Sequence, residues 1–447
     1  MTEKHQQETN SAPRQKTSAK HWTEAAGKVR KLVADMYINA FTQGKPVVWA
    51  MLSGINEIFV AMDVVPIYPE NYAALCAVKR SNETFIEKAE AEGFSNVVCS
   101  YARTGLGYSA ICQETGEIPP YAPDGGMMKP VMLIGSSLAC DTRFKWFQSF
   151  TRYVDAPYFS FDGPSPPEDT VDRKDVREQY IKYNVAQLQG LINFMEETLG
   201  RKMDWDRLEE AVRYAEETHY WWYEAFSLCK AVPCPMPVED ALNVIVPGFF
   251  RIGEPEALQF YKDLYDELQM RIEKKISIVP EEKYRLLWGG GLPPWHTMKV
   301  FNFVEERGAV FVFQISYPLG RPVEIPDHIT NPLERKAYTM YERALMRKET
   351  NKRLGISGRF NFAGLTNALP YIEPYKIDGV VMHWLRSCRG TTIGQIYQKS
   401  FIEEHSPVPC IFLESDICDV RDYFEADWDM KINAFLETLE ARKRASG

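Results

Sequence analysis

Short apolar runs bounded by turn residues recur along this chain and alternate with longer amphipathic stretches. From His21 to about Thr42, apolar positions fall at helical spacing (Trp22, Ala25, Val29, Leu32, Val33, Met36), which predicts a lead-in helix. Strand-like runs follow at 47–52 (VVWAML), 64–68 (VVPIY), 96–101 (NVVCSY), 131–135 (VMLIG) and 157–161 (PYFSF), separated by helical or looping stretches. Such alternation predicts a mainly parallel sheet with helices on both faces. From about Asp175 to Leu286 the pattern turns helical, with charged and aromatic stretches such as YNVAQLQGLINFMEETLG, and predicts a connection or cap. A second series follows: RLLWGGG (285–291), AVFVFQIS (309–316), DGVVMHW (378–384) and VPCIFLES (408–415), closed by a helix from about Tyr423 to Arg444.

In order, the second series mirrors VVWAML, VVPIY, VMLIG and PYFSF of the first. The predicted class is α/β, with two doubly wound, mainly parallel-sheet lobes facing each other, an N-terminal helix and a helical connecting region. The bounds read as a disordered polar segment at 1–20, a lead-in helix at 21–45, a first lobe at 46–174, a helical connection or cap at 175–284 and a second lobe at 285–447. The repeat is one of hydrophobic pattern, and doubly wound units resemble each other with or without duplication.

Composition narrows the partners. The 447 residues are 45% hydrophobic and 25% charged, an ordinary globular balance with material for a large core and, by length, about three domains. The net charge of −9 arises from 61 acidic and 52 basic residues spread along the chain, so no basic stripe points to nucleic acid or an anionic membrane. No apolar run approaches the roughly 20 residues that span a bilayer, and the first twenty residues lack a signal peptide's apolar centre, so a cytoplasmic protein is expected. Nine cysteines in such a chain argue against a disulfide framework and leave catalytic, metal-bound or plain buried thiols.

Two of these cysteines stand out. Cys140 lies eight positions after Met132, and Cys388 eight positions after Val380, each just past a strongly apolar run. The carboxyl end of a strand in an open α/β sheet faces the ligand crevice. Small polar residues follow each (Asp141 and Thr142; Arg389, Gly390, Thr391 and Thr392), which suits a helix start, where free N–H groups favour a thiolate. A shared metal centre and a pair of buried thiols at tight turns both satisfy this spacing. Cys99, also read at a strand end, is a third candidate, although its spacing to Cys140 and Cys388 matches no compact ferredoxin or zinc motif. Three thiolates would leave one iron open, as in catalytic sites. The remaining cysteines, Cys76, Cys112, Cys229, Cys234, Cys410 and Cys418, lie in apolar or helical context and read as filler.

Other features carry two readings each. Gly105–Ala110 (GLGYSA) fits a dinucleotide fingerprint or a tight turn, and the acidic residue the fingerprint needs is not evident. Gly289, Gly290 and Gly291 suit close backbone approach to a ligand or a plain turn. His296 and His383, near strand ends, are candidate proton donors or structural histidines. Ser53, Asn56, Glu57, Glu70 and Asn71 fall at the ends of two adjacent strands, to line the crevice or to cap the next helix. No G-x-x-x-x-G-K-[ST], H-E-x-x-H or G-x-S-x-G is present, so ATP hydrolysis, zincin and hydrolase-elbow chemistries lack support.

Several of these runs together resemble the 2-hydroxyacyl-CoA dehydratase and benzoyl-CoA reductase superfamily. The residues are NEIFVAMDVVPIYPENYAA (56–74), CSYAR (99–103), SSLACDTRF (136–144), HWLRSCRGTT (383–392) and FLESDICDVRDYF (412–424). Length and the tryptophan-rich middle are more similar to the larger cluster-bearing subunit, O-type or B-type, of an ATP-dependent benzoyl-CoA reductase. The resemblance implies a [4Fe-4S] cluster on Cys99, Cys140 and Cys388, and Ser53 and Glu70 at the thioester end of an acyl-CoA. It implies a homologous second subunit, a separate ATP-hydrolysing activator and ferredoxin as electron donor, in anaerobic aromatic degradation.

The leading expectation is therefore an oxidoreductase: ferredoxin-dependent two-electron reduction of benzoyl-CoA to a cyclic dienoyl-CoA, in an apolar, water-poor pocket. The alternative is a subunit of a radical 2-hydroxyacyl-CoA dehydratase, in which one electron makes a ketyl radical that expels hydroxide. From a different class, a two-lobed binding or scaffold subunit would carry no chemistry.

Overall fold

A computed structural model describes residues 22–164, 166–167, 170, 173–317, 319–353 and 368–446. The polar segment at 1–20 lies outside the described residues. Helix α1 (Glu24–Thr42) opens the chain, with the Thr23 hydroxyl accepting the Ala26 N–H as N-cap. The first sheet has strands β1 (Val47–Ala50), β2 (Val65–Ile67), β3 (Met132–Ser136) and β4 (Tyr158–Phe161). Interleaved with them are α2 (Asn56–Ala61), α3 (Pro69–Val78), α4 (Asn82–Ala91), α5 (Ser100–Thr115) and α6 (Asp141–Phe150).

The middle is helical, as the pattern predicts: α7 (Lys174–Leu199), α8 (Trp205–Ser227), α9 (Val238–Val244), α10 (Val246–Phe250) and α11 (Pro255–Glu273). The second sheet has β5 (Tyr284–Trp288), β6 (Ala309–Gln314), β7 (Gly379–Leu385) and β8 (Cys410–Ser415). Its helices are α12 (Lys299–Glu305), α13 (Pro332–Arg353), α14 (Leu369–Ile372), α15 (Arg389–Thr392), α16 (Gln395–His405) and the closing α17 (Glu425–Ser446).

Both sheets are four-stranded and wholly parallel, in the orders β2-β1-β3-β4 and β6-β5-β7-β8. The two orders are the same, so the mirrored pattern of apolar runs corresponds to one strand topology used twice. Strands β1, β3 and β6 are buried at every position, the signature of parallel strands covered on both faces. Helix α13, although it follows β6, packs on α7 and α8, and Lys336 reaches Glu57 of α2 at 2.6 Å. One core cluster joins residues of both sheets and the middle helices.

Two sequence expectations are corrected here. The run at 96–101 is not a strand. Val97 is 68% exposed, the Val98 N–H turns back to the Ser95 carbonyl at 3.0 Å, and a helix starts at Ser100. Three apolar residues after the helix end at Gly93 imitate a strand locally but have no neighbouring strand to join. The glycines of Gly105–Ala110 lie inside α5, not in a phosphate loop. A Cβ on Gly107 would stand 1.7 Å from the Phe85 carbonyl oxygen, so this glycine permits α4 and α5 to touch backbone to backbone.

Candidate cluster site and crevice

Cys140 and Cys388 follow the equivalent third strands β3 and β7, and Cys99 follows a turn; all three are N-cap residues, of α6, α15 and α5 respectively. No cap hydrogen bond occupies a cysteine at its usual acceptor, yet each sulfur faces the backbone N–H three residues on: Ala102, Arg143 and Thr391. One local geometry is thus used three times. Ala139, immediately before Cys140, has φ of 76°, a left-handed conformation costly for a residue with a Cβ and frequent where a chain is aimed at a site.

The three are also brought together. A Cβ on Gly390 would lie 3.4 Å from the Cys140 Cβ, which places the Cys388 turn against the Cys140 turn. Arg389 donates to Asp141 at 2.8 Å across the same gap. The Ser100 N–H, beside Cys99, donates to the Ser387 Oγ, beside Cys388, at 3.1 Å. All three cysteines are half-buried. Burial pushes each thiol above its ordinary value, and charges on Cys388 and Cys140 push Cys99 further. Burial thus favours the protonated thiol at all three positions.

Among the described residues no three His, Cys, Asp or Glu side chains gather closely enough to enclose a single metal ion. Cys99, Cys140 and Cys388 are three soft sulfur donors on converging turns, the donor type that iron–sulfur clusters take.

Beside Cys140 lies a charged and phenolic patch. Arg143 holds both Glu70 oxygens at 2.8 Å and donates to the Leu52 carbonyl at 3.1 Å, so one guanidinium spans the ends of β1 and β2. Ser53 is buried, its hydroxyl donating to the Met51 carbonyl at 3.0 Å. Tyr101 from the first half and Tyr317 from the second are hydrogen-bonded to each other, and Trp295 donates its indole N–H to Tyr101. Burial and the Glu70 charge raise the Tyr317 hydroxyl well above its usual range. Arg143, Tyr101 and Tyr317 were not singled out by sequence reasoning; Arg143 was legible only as the residue three after Cys140.

The other expectations resolve differently. Asn56 joins Tyr68 to the Phe249 carbonyl, Glu57 pairs with Lys336, and Asn71 accepts from Tyr37, so these polar groups bind elements together. His296 is buried with Nε2 against the Asp416 carbonyl at 3.0 Å, and burial holds it down to about 4. His383 has Nδ1 on the Leu292 carbonyl and Nε2 on Ser415 at 2.7 Å, and burial holds it down to about 3. Burial favours the neutral form of both imidazoles, and each ring is held by hydrogen bonds to neighbouring segments. Gly291, with φ of 75°, lets the chain lie against β7, where a Cβ would meet the His383 carbonyl oxygen at 2.1 Å. That close approach is to the protein's own backbone, not to a ligand.

Two parallel-sheet lobes, with three helix-start cysteines converging from both, define a two-lobed α/β protein with a cluster of thiols where the lobes meet. The family profile for 2-hydroxyglutaryl-CoA dehydratase, D-component, matches residues 55–439, and the chain belongs to that family. It is similar to the (R)-phenyllactyl-CoA dehydratase alpha subunit of Clostridium sporogenes, 27% identical over 91% of this chain and 93% of the relative. It is also similar to the (R)-2-hydroxyisocaproyl-CoA dehydratase alpha subunit of Clostridioides difficile, 27% identical over 94% and 97%. A benzoyl-CoA reductase subunit of Thauera aromatica is 28% identical over 90% of each chain. Among the described residues no helix is long and apolar enough to cross a membrane.

Proposed function

We propose that this chain is the cluster-bearing subunit of a 2-hydroxyacyl-CoA dehydratase. The observation that carries the reading is end-to-end similarity to dehydratase alpha subunits, which make up most of the relatives found. The sequence expectation ranked benzoyl-CoA reduction first; the balance of relatives reverses that order, and the oxidoreductase assignment becomes the second reading, supported by the match to the reductase of Thauera aromatica.

In this reading Cys99, Cys140 and Cys388 hold a [4Fe-4S] cluster, which when bound would supply single electrons to the thioester end of the substrate. Dehydration of a 2-hydroxyacyl-CoA breaks the C2–O and C3–H bonds and releases water, with no net oxidation. The chain's own groups orient and seclude that end. Arg143 fixes the Glu70 carboxylate beside Cys140, and its grip on the Leu52 carbonyl fixes the loop that carries Ser53. Tyr101 and Tyr317 join the two halves through their hydrogen bond, and the Tyr317 hydroxyl keeps its proton near neutral pH. A homologous second subunit, an ATP-hydrolysing activator and ferredoxin complete the proposed system, in the cytoplasm.

Anaerobic purification with its co-expressed partner, followed by iron, acid-labile sulfide and EPR measurement, tests the cluster. Cys140→Ala and Cys388→Ala should each diminish it, and wild type without iron would favour a scaffold. The complex is then given (R)-phenyllactyl-CoA, (R)-2-hydroxyisocaproyl-CoA and benzoyl-CoA with activator and a one-electron donor. Water loss from a hydroxyacyl thioester is the expected result; turnover of benzoyl-CoA alone overturns it in favour of the reductase.

A further inference from the structure

Cys99 and Cys388 belong to different halves of the chain, and their flanking residues Ser100 and Ser387 are 287 positions apart. Whatever binds both thiols depends on how far apart the two turns are held. A closed ring of buried hydrogen bonds sets that separation. The Ser100 N–H donates to the Ser387 Oγ at 3.1 Å, and the Ser387 hydroxyl donates in turn to Asp416 Oδ2. The Ser387 N–H reaches the same oxygen at 3.0 Å. Asp416 Oδ1 accepts the N–H groups of Cys418 at 3.2 Å and Asp419 at 3.3 Å, and the Cys418 N–H is shared with the Ser100 Oγ at 3.2 Å, which closes the ring. Ser100 and Asp416 are 0% exposed and Ser387 is 4% exposed, so water does not compete for these bonds.

The ring is asymmetric in a useful way. Its serines adjoin cysteines, whereas Asp416 adjoins none of the three in sequence, and its side chain bonds only to Ser387, Cys418 and Asp419 among the hydrogen bonds described. Both carboxylate oxygens are filled by donors, and each donor group needs an acceptor at that point because it is buried. An amide in place of the carboxylate would turn an N–H₂ toward either the Ser387 pair or the Cys418 and Asp419 pair, whichever way it is rotated. One set of buried donors would then be left facing a donor.

We propose that Asp416 is the positioning residue that sets the spacing between the Cys99 and Cys388 turns, and through it the retention of the cluster. This rests on the reading of Cys99, Cys140 and Cys388 as cluster ligands. Groups that orient metal ligands from behind act on affinity, and removing one weakens metal binding typically about 10- to 100-fold. Asp416 also places its oxygens close enough to act on Cys99 and Cys388 electrostatically, so its loss should alter the electronic signature of the cluster as well as its hold.

The experiment compares wild type, Asp416→Asn and Ser387→Ala in the anaerobically purified complex. Melting curves establish folding, and Ser387→Ala, which deletes one hydroxyl, carries the comparison if Asp416→Asn does not fold. Cluster loss to an iron chelator should be at least roughly tenfold faster in Asp416→Asn and intermediate in Ser387→Ala, with shifted EPR g values and an upward shift in midpoint potential. In the iron-free chain, alkylation of Cys99 and Cys388 followed by mass spectrometry should be faster in both variants. Unchanged chelation, EPR and alkylation rates in a folded variant overturn the role of Asp416. Wild type that binds no cluster overturns the ligand assignment instead, and alkylation still reports whether Asp416 holds the turns.

Discussion

Arg103 and Asp419 form a 2.9 Å ion pair between the two halves of the chain, with side chains 0% and 5% exposed. Arg103 comes from α5 and also reaches Glu90 of α4 at 2.7 Å, while Arg421 binds both Glu90 and Asp419 at 2.6 Å. The helix that starts at Cys99 is therefore anchored to the segment following β8. Asp419→Ala removes one of two carboxylates on Arg103 and leaves Glu90 as its remaining partner, so a cost of about 1–3 kcal/mol is expected. Urea unfolding of wild type and variant measures this, and a difference below about 0.5 kcal/mol, the range of ordinary surface substitutions, would remove the clamp from the account.

The same pair predicts an acid response. Burial opposes the Asp419 charge, but hydrogen bonds from Arg421 and Arg103 outweigh it and hold the carboxyl down to about 2. Its folded value lies below its unfolded value, so the unfolded chain binds the proton more readily. The stabilisation is complete above the ordinary carboxylate range near pH 4 and is lost as pH falls through about 2. Unfolding midpoints should drop between pH 4 and pH 2 in wild type, and Asp419→Asn should flatten that drop.

His296 and His383 should contribute no titration to the activity profile near neutral pH. Because burial holds His296 to about 4 and His383 to about 3, both remain neutral from pH 5 to 8. Ring carbon shifts of labelled histidine should show that His296 and His383, like the buried His219, do not titrate in that window. Two further signals moving with midpoints near 6.5, assigned to these positions by His296→Gln and His383→Gln, would contradict this.

Gly107 predicts a packing failure. Gly107→Ala would drive a methyl to 1.7 Å from the Phe85 carbonyl, against backbone that cannot rotate away as a side chain does. Expression as insoluble protein or a melting temperature lowered by about 10 °C or more is expected, consistent with a loss of several kcal/mol in a chain of this size. Gly27→Ala, where nothing lies within 4 Å, is the control.

Arg143 links the crevice groups, and Arg143→Lys keeps the charge while losing the two-pronged grip on Glu70. Turnover should fall roughly tenfold with cluster content unchanged, as expected when a bidentate pair becomes a point contact. Equal activity in the two proteins would show that Glu70 does not need this orientation.

Much of this architecture was legible in sequence because parallel strands buried on both faces leave continuous apolar runs such as VMLIG and AVFVFQIS. What misled was local. Asn96–Val98 has strand composition without a partner strand, and GLGYSA has a loop's glycines placed at a helix contact instead. Cys140 and Cys388 were legible from their equal offsets, since a strand and its following turn are short-range structure, whereas Cys99 was read at the end of a strand that the structure replaces with a turn. Arg143, Tyr317 and Asp416 were not, because their importance comes from contacts with other segments (Leu52 and Glu70 for Arg143, Tyr101 for Tyr317, Ser387 for Asp416), to which no local period refers.

The shared strand order has one consequence for the site. Cys140 and Cys388 occupy equivalent places after the third strand of each sheet, whereas Cys99, between β2 and β3, has no counterpart: the stretch from Ile315 to Asp378, between β6 and β7, contains no cysteine. One strand order used twice thus presents two equivalently placed thiols and a third, Cys99, that belongs to the first half alone. In the proposed cluster, the corner left without a protein thiolate corresponds to the cysteine that the second half lacks between β6 and β7.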